Sequence, residues 1–399
     1  MSDTKPSPML KEKIQNLAKT DFDEFVQIRR HLHAHPELSY KEFETSKFVQ
    51  QKLKEFGIKH SVIATTGVVG IIEGKNPSKK IIALRADMDA LPITEKNEIE
   101  YRSKNEGVMH ACGHDVHTTC LLGAAKILNE LKEDWEGTIK LIFQPGEEKN
   151  PGGASLMIKE GVLENPKPDS ILALHVHPGL EAGNLSFRGG MVMASADEIY
   201  ITVKGKGGHA AAPHLTADTI LAASQLVVNL QQLISRFNNP FNPSVLSITS
   251  FQGGNTTNVI PSEVNLMGTF RAMNEEWRFK AHEMIKNIGK ATAEISGVEI
   301  EVKIDVGYPF VINNMELTEN AKRKAIEFAG AEIVGETEMR MGAEDFAFYS
   351  HQIPACFFRL GVANAGKGIT SGVHTPTFNI DESAIETGIG IMAWLAASL

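Results

Sequence analysis

The residue types best suited to metal chemistry come together in the segment 109–117, which reads MHACGHDVH. Cys112 and His114 stand two residues apart around Gly113, so a thiol and an imidazole on one loop can face the same point. Both groups bind zinc and other borderline divalent metals. A short Cys-x-His pattern is weak on its own, because cysteine is often simply a small buried residue.

Acidic or histidine side chains also stand at the ends of three apolar segments that are typical of buried strands. These segments and residues are 80–85 with Asp87, 138–143 with Glu147 and Glu148, and 170–175 with His175. Each has an ordinary explanation alone, as a solvated loop or a packed histidine. However, ligands bind at the carboxyl ends of strands in open α/β sheets. The coincidence of three such strand ends therefore favours a ligand site there.

The elements that must position these residues alternate between strand and helix patterns. This alternation predicts parallel βαβ units and an α/β fold whose sheet is covered on both faces. Helices are predicted over 9–34, 41–56, 116–131, 154–160, 316–329 and from 382 onward. Further strands are predicted over 58–64, 68–73 and 355–360.

The middle of the chain has a different order of strand and helix patterns, which predicts a separate small domain. Strands over 197–204, 244–251, 263–271 and 298–306 are separated by helices over 216–237 and 275–295. The order β-α-β-β-α-β is the split-βαβ, ferredoxin-like pattern. Because the proposed site residues lie on both sides of this segment, the main domain is expected to be discontinuous.

Composition narrows the class of protein. The chain has 399 residues with 49 acidic and 40 basic side chains, a net charge of −9, which argues against a general nucleic-acid binder. The three cysteines, Cys112, Cys120 and Cys356, are too few and too scattered for a disulfide framework, so a reducing, cytoplasmic location is expected. Residues 1–11 lack the apolar core of a secretory signal, and no apolar run is long enough for a membrane span.

Several motifs in order make the chain resemble the aminoacylase, hippurate-hydrolase and auxin-conjugate-hydrolase branch of the dinuclear metallopeptidases, the M20 peptidase family. The resemblance extends from about residue 28 to 380. The motifs are RRHLHAHPELS (29–39), RADMDALP (85–92), MHACGHDVHTT (109–119), QPGEE (144–148), ALH (173–175), GGHAAAPH (207–214), TNVIP (257–261), GTFR (268–271), GAEDF (342–346) and GVHTPTF (372–378). The pairing of HACGHD with QPGEE at this spacing is the specific part.

The resemblance implies a three-layer αβα catalytic domain with a mixed sheet, formed by residues 1–190 and 308–399. It implies that residues 191–307 form an inserted ferredoxin-like lid, through which relatives often dimerise. It also implies metal-dependent hydrolysis of the amide bond of N-acetyl, N-benzoyl or similar N-acyl amino acids. Two divalent ions are expected as cofactors, of zinc, manganese, cobalt or nickel.

Residue roles follow from the matching motif positions. The implied metal ligands are Cys112, which would bridge the two ions, His114, Glu148, His175 and His374. Glu147 matches the general base, and Asp87 matches a carboxylate that supports the ligands. His209 matches an oxyanion-stabilising histidine, supplied by a partner subunit in some relatives. Asn258 and Arg271 match positions that hold the substrate carboxylate.

Alternatives stay open at this point. A dipeptidase or carboxypeptidase would use the same site, and a non-catalytic binding protein would keep only the fold. His31, His33 and His35 are interpreted as structural, His110 and His117 as packing or supporting residues, and His177 and His214 as pocket residues. Cys120 and Cys356 are interpreted as core thiols. The glycine-rich segment 205–208 lacks the spacing of a phosphate-binding loop, which argues against nucleotide binding.

Overall fold

The structure is a computed structural model that describes residues 8–399. Residues 1–7, which belong to the segment predicted to contain no secretory signal, lie outside the described part. Within residues 8–399, every helix is too short or too polar to cross a membrane.

The chain divides into two compact units. The first comprises the described residues up to Val192 together with Ile312–Glu338 and Asp345–Leu399. The second comprises Met193–Val311 and Met339–Glu344. A catalytic role for one part of the chain and a lid role for the other stay predictions.

The first unit is built on an eight-stranded mixed sheet. In chain order its strands are β1 (Lys59–Ile63), β2 (Gly67–Glu73), β3 (Ile81–Asp87), β4 (Thr138–Gln144), β5 (Ser170–Glu181), β6 (Leu185–Phe187), β15 (Val334–Glu336) and β16 (Ala355–Ala363). Across the sheet the order is β1-β2-β4-β3-β5-β16-β6-β15. The neighbours β4, β3, β5 and β16 are parallel, whereas β2 and β6 run antiparallel to β4 and β16.

Helices cover both faces of this sheet. They are α1 (Pro8–Thr20), α2 (Phe22–Ala34), α3 (Phe43–Glu55), α4 (His114–Glu130), α5 (Gly153–Lys159), α8 (Met315–Ala329), α9 (Ala347–Ser350) and α10 (Ala384–Ser398). On β4, Ile139, Leu141 and Phe143 join the core formed with α4 and α10. Gln144 points to the other face, where it and Ala154 of α5 both donate to Asp345. The predicted three-layer αβα fold with a mixed sheet is thus confirmed.

The second unit has a four-stranded antiparallel sheet, formed by β8 (Asp197–Lys204), β10 (Ser244–Gln252), β12 (Glu263–Ala272) and β13 (Glu299–Val306) in the order β10-β12-β8-β13. The helices α6 (Thr219–Gln232) and α7 (Glu275–Ser296) pack on it around one apolar core. The chain order β8-α6-β10-β12-α7-β13 is the predicted ferredoxin-like arrangement. The remaining strands of the described chain form two separate two-stranded sheets. One pairs β7 (Gly190–Met193) with β14 (Val311–Asn313), and the other pairs β9 (Gly208–His209) with β11 (Val259–Ile260).

Some predicted helices differ in their bounds. The single helix predicted over 9–34 is two helices separated at Asp21, whose carboxylate pairs with Lys126 at 2.9 Å. The helix predicted from 216 begins later, because Asp218 caps it by accepting from the Leu221 N–H. Its last predicted turn, Leu233–Phe237, is a π-helical turn. Cys120 and Cys356 are fully buried, which confirms their assignment to the core.

Candidate metal centre

The carboxyl ends of β3 and β4 lie side by side in the first unit, next to the middle of β5. Asp87 at the end of β3 is in register with Gln144 at the end of β4. His175 lies on β5, on the other side of β3, in register with Arg359 of β16. The strand predicted to end at 175 continues to Glu181, so His175 lies within β5. The sheet places the segment 145–148 next to Asp87 and His175.

A tight turn places Cys112 and His114 at the same edge. Gly113 has φ +89°, and a Cβ atom there would lie 2.5 Å from a methyl carbon of Val176. Only glycine fits this close approach of the loop to β5. Helix α4 then begins at His114, and Cys112 lies just before it, buried.

The proposed ligand atoms form two groups that share one sulfur. Atoms of Cys112, His114 and His175 lie within 4.8 Å of one another, and so do those of Cys112, Glu148 and His374. The Cys112 Sγ lies 3.3 Å from His374 Nε2 and 3.6 Å from His175 Nε2. The structure therefore brings together all five side chains for which the sequence suggested a ligand role.

Two buried polar atoms in this cluster lack a partner with good hydrogen-bond geometry: His114 Nε2, and Glu148 Oε1, which lies 3.3 Å from His374 Nε2. They lie 3.9 Å apart. Burying such atoms without partners is costly, so a group that satisfies both is expected between them. A thiolate, a carboxylate and three imidazoles are a donor set that suits zinc and similar borderline cations. The residues present thus fit a metal site.

Hydrogen bonds fix the tautomers of two histidines so that Nε2 faces the cluster. His114 Nδ1 donates to the Asp89 carbonyl oxygen at 2.9 Å, and His175 Nδ1 donates to the Val176 carbonyl oxygen at 2.8 Å. Because carbonyl oxygens only accept, Nδ1 carries the proton in both rings. This arrangement is typical of metal-ligating histidines.

His117 lies beside the cluster with both ring nitrogens already used. Its Nδ1 donates to Asp87 Oδ1 at 2.6 Å, and its Nε2 accepts from the Val176 N–H at 2.9 Å. No nitrogen is left for a metal. His117 and Asp87 therefore hold neighbouring groups in place and are not part of the proposed ligand set.

Burial and neighbouring charge shift the pKa values in the cluster. Burial would raise the pKa of the Asp87 carboxyl, but the neighbouring His114, His117 and Arg85 lower it well below its usual range. Burial lowers the pKa of His175 well below its usual value. The neighbouring Cys112 and Glu148 raise the pKa of His374 to about 10. A cation would displace the protons held here, because ligation requires the deprotonated forms.

Glu147 lies beside the two groups of ligand atoms. Its carboxylate oxygen lies within 4.8 Å of ligand atoms of His114 and Glu148. Its Oε1 accepts from the Asp345 N–H at 3.4 Å. A buried carboxylate that lies next to the ligands can exchange a proton with a molecule bound there.

Sequence reasoning missed the polar residues that hold this edge together. Arg85 is fully buried on β3 and donates to Asp87 at 2.6 Å and to Asp345 at 2.8 Å. Asp89 accepts from His114, from Ser39 and from the Glu148 N–H. The available signal was a charged residue inside an apolar strand and a second aspartate two residues after Asp87.

The three remaining candidates lie in the second unit. His209 on β9 pairs with Val259 on β11, and the Ala210 N–H donates to the Asn258 carbonyl oxygen at 3.0 Å. His209 and Asn258 therefore share one ribbon. Arg271 lies on β12 of the four-stranded sheet, half-buried, and donates to Thr269 Oγ1 and to the Phe270 carbonyl oxygen.

Comparisons with known proteins show the family to which the chain belongs. The sequence profile described as peptidase family M20/M25/M40 matches residues 83–398. An N-acyl-L-amino acid amidohydrolase of Geobacillus stearothermophilus is 44% identical over 306 residues, covering 76% of this chain and 82% of the relative. Thermostable carboxypeptidase 2 of Saccharolobus solfataricus is 40% identical over 392 residues, covering 97% of this chain and 98% of the relative.

A solved structure extends the comparison to three dimensions. The Bacillus subtilis YXEP protein, described as a dinuclear metal binding peptidase from the M20 family, superposes with a TM-score of 0.81 at 34% identity. The match covers 95% of this chain and 98% of that protein.

Proposed function

The chain belongs to peptidase family M20/M25/M40, a family of metal-dependent hydrolases, and from this premise we propose that it hydrolyses the amide bond of N-acyl amino acids. The products would be a carboxylic acid and a free amino acid. The membership confirms the predicted family and the predicted metal-dependent enzyme class. The acyl group is proposed to be acetyl, benzoyl or similar.

The observation that carries the proposal is the pair of ligand groups sharing Cys112, with Glu147 beside them. The cofactor is a pair of divalent metal ions. Cys112, His114, His175, Glu148 and His374 would hold the two ions, with Cys112 as the ligand shared by both groups. The ions bring a charge of +4 and the thiolate and carboxylate bring −2, so the centre stays positive and attracts the substrate carbonyl oxygen.

When bound, the two ions acidify a water molecule and polarise the scissile carbonyl. Glu147 would take a proton from the attacking water and return it to the nitrogen as the carbon–nitrogen bond breaks. Asp345 holds one carboxylate oxygen of Glu147 through its N–H. Asp87 keeps its negative charge and fixes His117, which in turn holds the backbone of β5.

We assign substrate recognition to the predicted lid, residues 191–307, and metal binding to residues 1–190 and 308–399. His209 would stabilise the oxyanion, from the same chain or from a partner subunit. Arg271 would bind the substrate carboxylate with Asn258, since a guanidinium binds a carboxylate through two hydrogen bonds. The half-buried position of Arg271 on β12 supports this role.

A homo-oligomer through the lid is also proposed. Leu221 and Val228 on α6 are 56% and 68% exposed, and Phe251 on the edge strand β10 is 43% exposed. Exposed apolar side chains of this kind are typical of an interface. Light scattering coupled to size exclusion would show a dimer, and Val228→Glu would shift it to monomer.

The test of the activity is a substrate panel. Protein stripped of metal and reloaded with Zn²⁺, Mn²⁺, Co²⁺ or Ni²⁺ is given N-acetyl and N-benzoyl amino acids, and free dipeptides in parallel. We expect cleavage of the N-acyl amino acids. The second candidate, a carboxypeptidase or dipeptidase, is favoured by the 40% identity to thermostable carboxypeptidase 2. Faster cleavage of peptides than of N-acyl amino acids would replace the first proposal by the second.

A further inference from the structure

We propose that Glu42, assisted by Tyr40, is a positioning residue that holds Glu147 in place by fixing the loop 145–152. This inference rests on the proposed role of Glu147. Neither residue touches the ligand cluster, and both lie just before α3 in a segment to which the proposed reaction gives no task.

Glu42 is fully buried and its carboxylate is used as a hydrogen-bond acceptor by backbone and hydroxyl groups. Its Oε1 accepts from the Gly146 N–H at 2.7 Å and from the Tyr40 N–H at 2.9 Å. Its Oε2 accepts from Thr66 Oγ1 at 2.9 Å. Gly146 directly precedes Glu147, so the Glu42 carboxylate holds the backbone next to the proposed base.

Burying the Glu42 carboxyl group costs free energy, so its presence beside the loop indicates a functional role rather than a stabilising one. Within residues 8–399, the Glu42 carboxylate accepts from two backbone N–H groups and one hydroxyl, and no lysine, arginine or histidine pairs with it. Burial, with a smaller effect of Asp89, raises its pKa to about 7. A buried carboxyl group without a cation stabilises a fold poorly. What Glu42 contributes to the structure is therefore its hydrogen bond to the backbone of the loop 145–152.

Tyr40 contacts the same loop through its hydroxyl group and its ring. Its backbone has φ +66°, a left-handed conformation that is strained for a large side chain. Its hydroxyl donates to the Lys149 carbonyl oxygen and accepts from the Gly152 N–H at 3.0 Å. A Cβ atom at Gly146 would lie 2.2 Å from the Tyr40 ring, so the ring packs directly against the loop backbone.

The neighbouring Glu148 is held by a different residue. Its N–H donates to Asp89 Oδ2 at 3.0 Å, and Ser39 donates to the same oxygen at 2.6 Å. Asp89 therefore fixes the proposed metal ligand, whereas Glu42 fixes the residue before the proposed base. Loss of the Glu42 carboxylate should consequently reduce turnover without reducing metal binding.

The experiment compares Glu42→Ala, Glu42→Gln and Glu160→Ala with the wild type. The side chain of Glu42 makes no capping hydrogen bond to α3, so the alanine variant leaves the helix start intact. We expect Glu42→Ala to lower kcat about 10- to 100-fold, since a 1 Å misplacement can cost that much. KM and metal content should stay within about twofold of the wild type, as expected for an interaction used in the transition state.

The glutamine variant keeps an oxygen for the Gly146 N–H and an amide that can donate to Thr66, so it should restore kcat to within about threefold. The matched control is Glu160, whose carboxylate accepts from the Ala64 N–H at 2.9 Å, outside the loop. Glu160→Ala should leave kcat unchanged. A Glu42→Ala protein with wild-type kcat, or one whose metal content falls in parallel with kcat, would overturn the proposal.

A second readout does not depend on the substrate. Hydrogen exchange of peptides covering residues 145–152 should be faster in Glu42→Ala and unchanged in Glu160→Ala. If the wild type cleaves peptides rather than N-acyl amino acids, the proposed substrate is wrong, and the ratio of kcat values on peptides still tests Glu42. Unchanged exchange in Glu42→Ala would contradict the positioning role whatever the substrate.

Discussion

At the scale of single residues, Glu147 is the side chain whose chemistry can be separated most cleanly from metal binding. Glu147→Gln keeps the shape of the side chain and its acceptor oxygen for the Asp345 N–H, but it cannot take a proton. We expect full metal content with kcat reduced about 10²- to 10⁴-fold, the usual contribution of a general base. Metal analysis and steady-state kinetics of the variant measure both. A near-normal rate would remove Glu147 from its proposed role.

Cys112 differs from the other two cysteines in its surroundings. Burial raises the pKa of all three thiols, but only the Cys112 sulfur faces histidines, and His114 and His374 act to lower its pKa. We expect peroxide to oxidise Cys112 alone in metal-free protein, and bound metal to protect it, because the thiolate that neighbouring histidines favour is the reactive form. Peptide mass spectrometry identifies the oxidised residue.

The matched variants are Cys112→Ser and Cys356→Ser. Cys112→Ser should lose at least one of the two ions, because the thiolate is proposed to bridge them, whereas Cys356→Ser should keep both. Normal metal content and activity in Cys112→Ser would end its assignment as a ligand.

The sequence could predict the ligand residues because their types are rare at strand ends and their motifs are specific. Cys112, His114, Glu148 and His175 stood out in this way. His374 depended on the resemblance, because an isolated histidine in a loop carries no pattern. Asp89 was missed although it stands as a second aspartate just after Asp87, whereas Glu42 could not be found, because its importance comes from hydrogen bonds to distant backbone groups.

At the scale of elements, prediction succeeded where a long pattern exists. The alternating strand of 197–204 is β8 with the predicted bounds, whereas the three-residue strands β6 and β15 were missed, because three residues show no periodicity. The helix break at Asp21, whose carboxylate pairs with Lys126 on α4, was also missed. Such contacts between distant segments are invisible in a local pattern.

The start of β8 depends on a buried carboxylate, Asp197, in the second unit. It accepts hydrogen bonds from Arg278 Nε at 2.9 Å and from His282 Nε2 at 2.7 Å. Burial would raise its pKa, but the hydrogen bonds from Arg278 and His282 lower it below the usual value. Asp197 and Arg278 thus connect β8 to α7.

We expect Asp197→Asn to lower the free energy of unfolding by about 3–5 kcal/mol at pH 7, as for other broken buried ion pairs. A depressed pKa means that this stabilisation is present above the unfolded-state value of about 3.9 and is lost as pH falls through the lower folded-state value. Urea unfolding at pH 7 and pH 3 measures the difference, which should shrink at the lower pH. Equal urea midpoints at pH 7 would contradict the role of Asp197.

At the scale of the whole molecule, the proposed site collects residues that are far apart in the chain. The ligands extend from Cys112 to His374, and the second unit is inserted between His175 and His374. The return of Met339–Glu344 to the second unit could not be predicted, because these six residues carry no secondary-structure pattern. A site with such separated ligands exists only in the folded protein.

Metal binding should therefore stabilise the first unit specifically. A ligand that binds only the folded state adds about 2.7 kcal/mol at 100 times its dissociation constant. Trp135 and Trp394 are buried in the first unit and Trp277 in the second, so Trp277→Phe leaves fluorescent reporters in the first unit alone. In that background we expect Zn²⁺ or Mn²⁺ to raise Tm relative to a chelator. Adding His175→Ala to the Trp277→Phe protein should abolish most of this rise in Tm. Adding Asp197→Asn instead should leave the rise unchanged. A chelator that leaves Tm unchanged, or a full shift in the His175→Ala protein, would show that the cluster around Cys112 does not hold the metal.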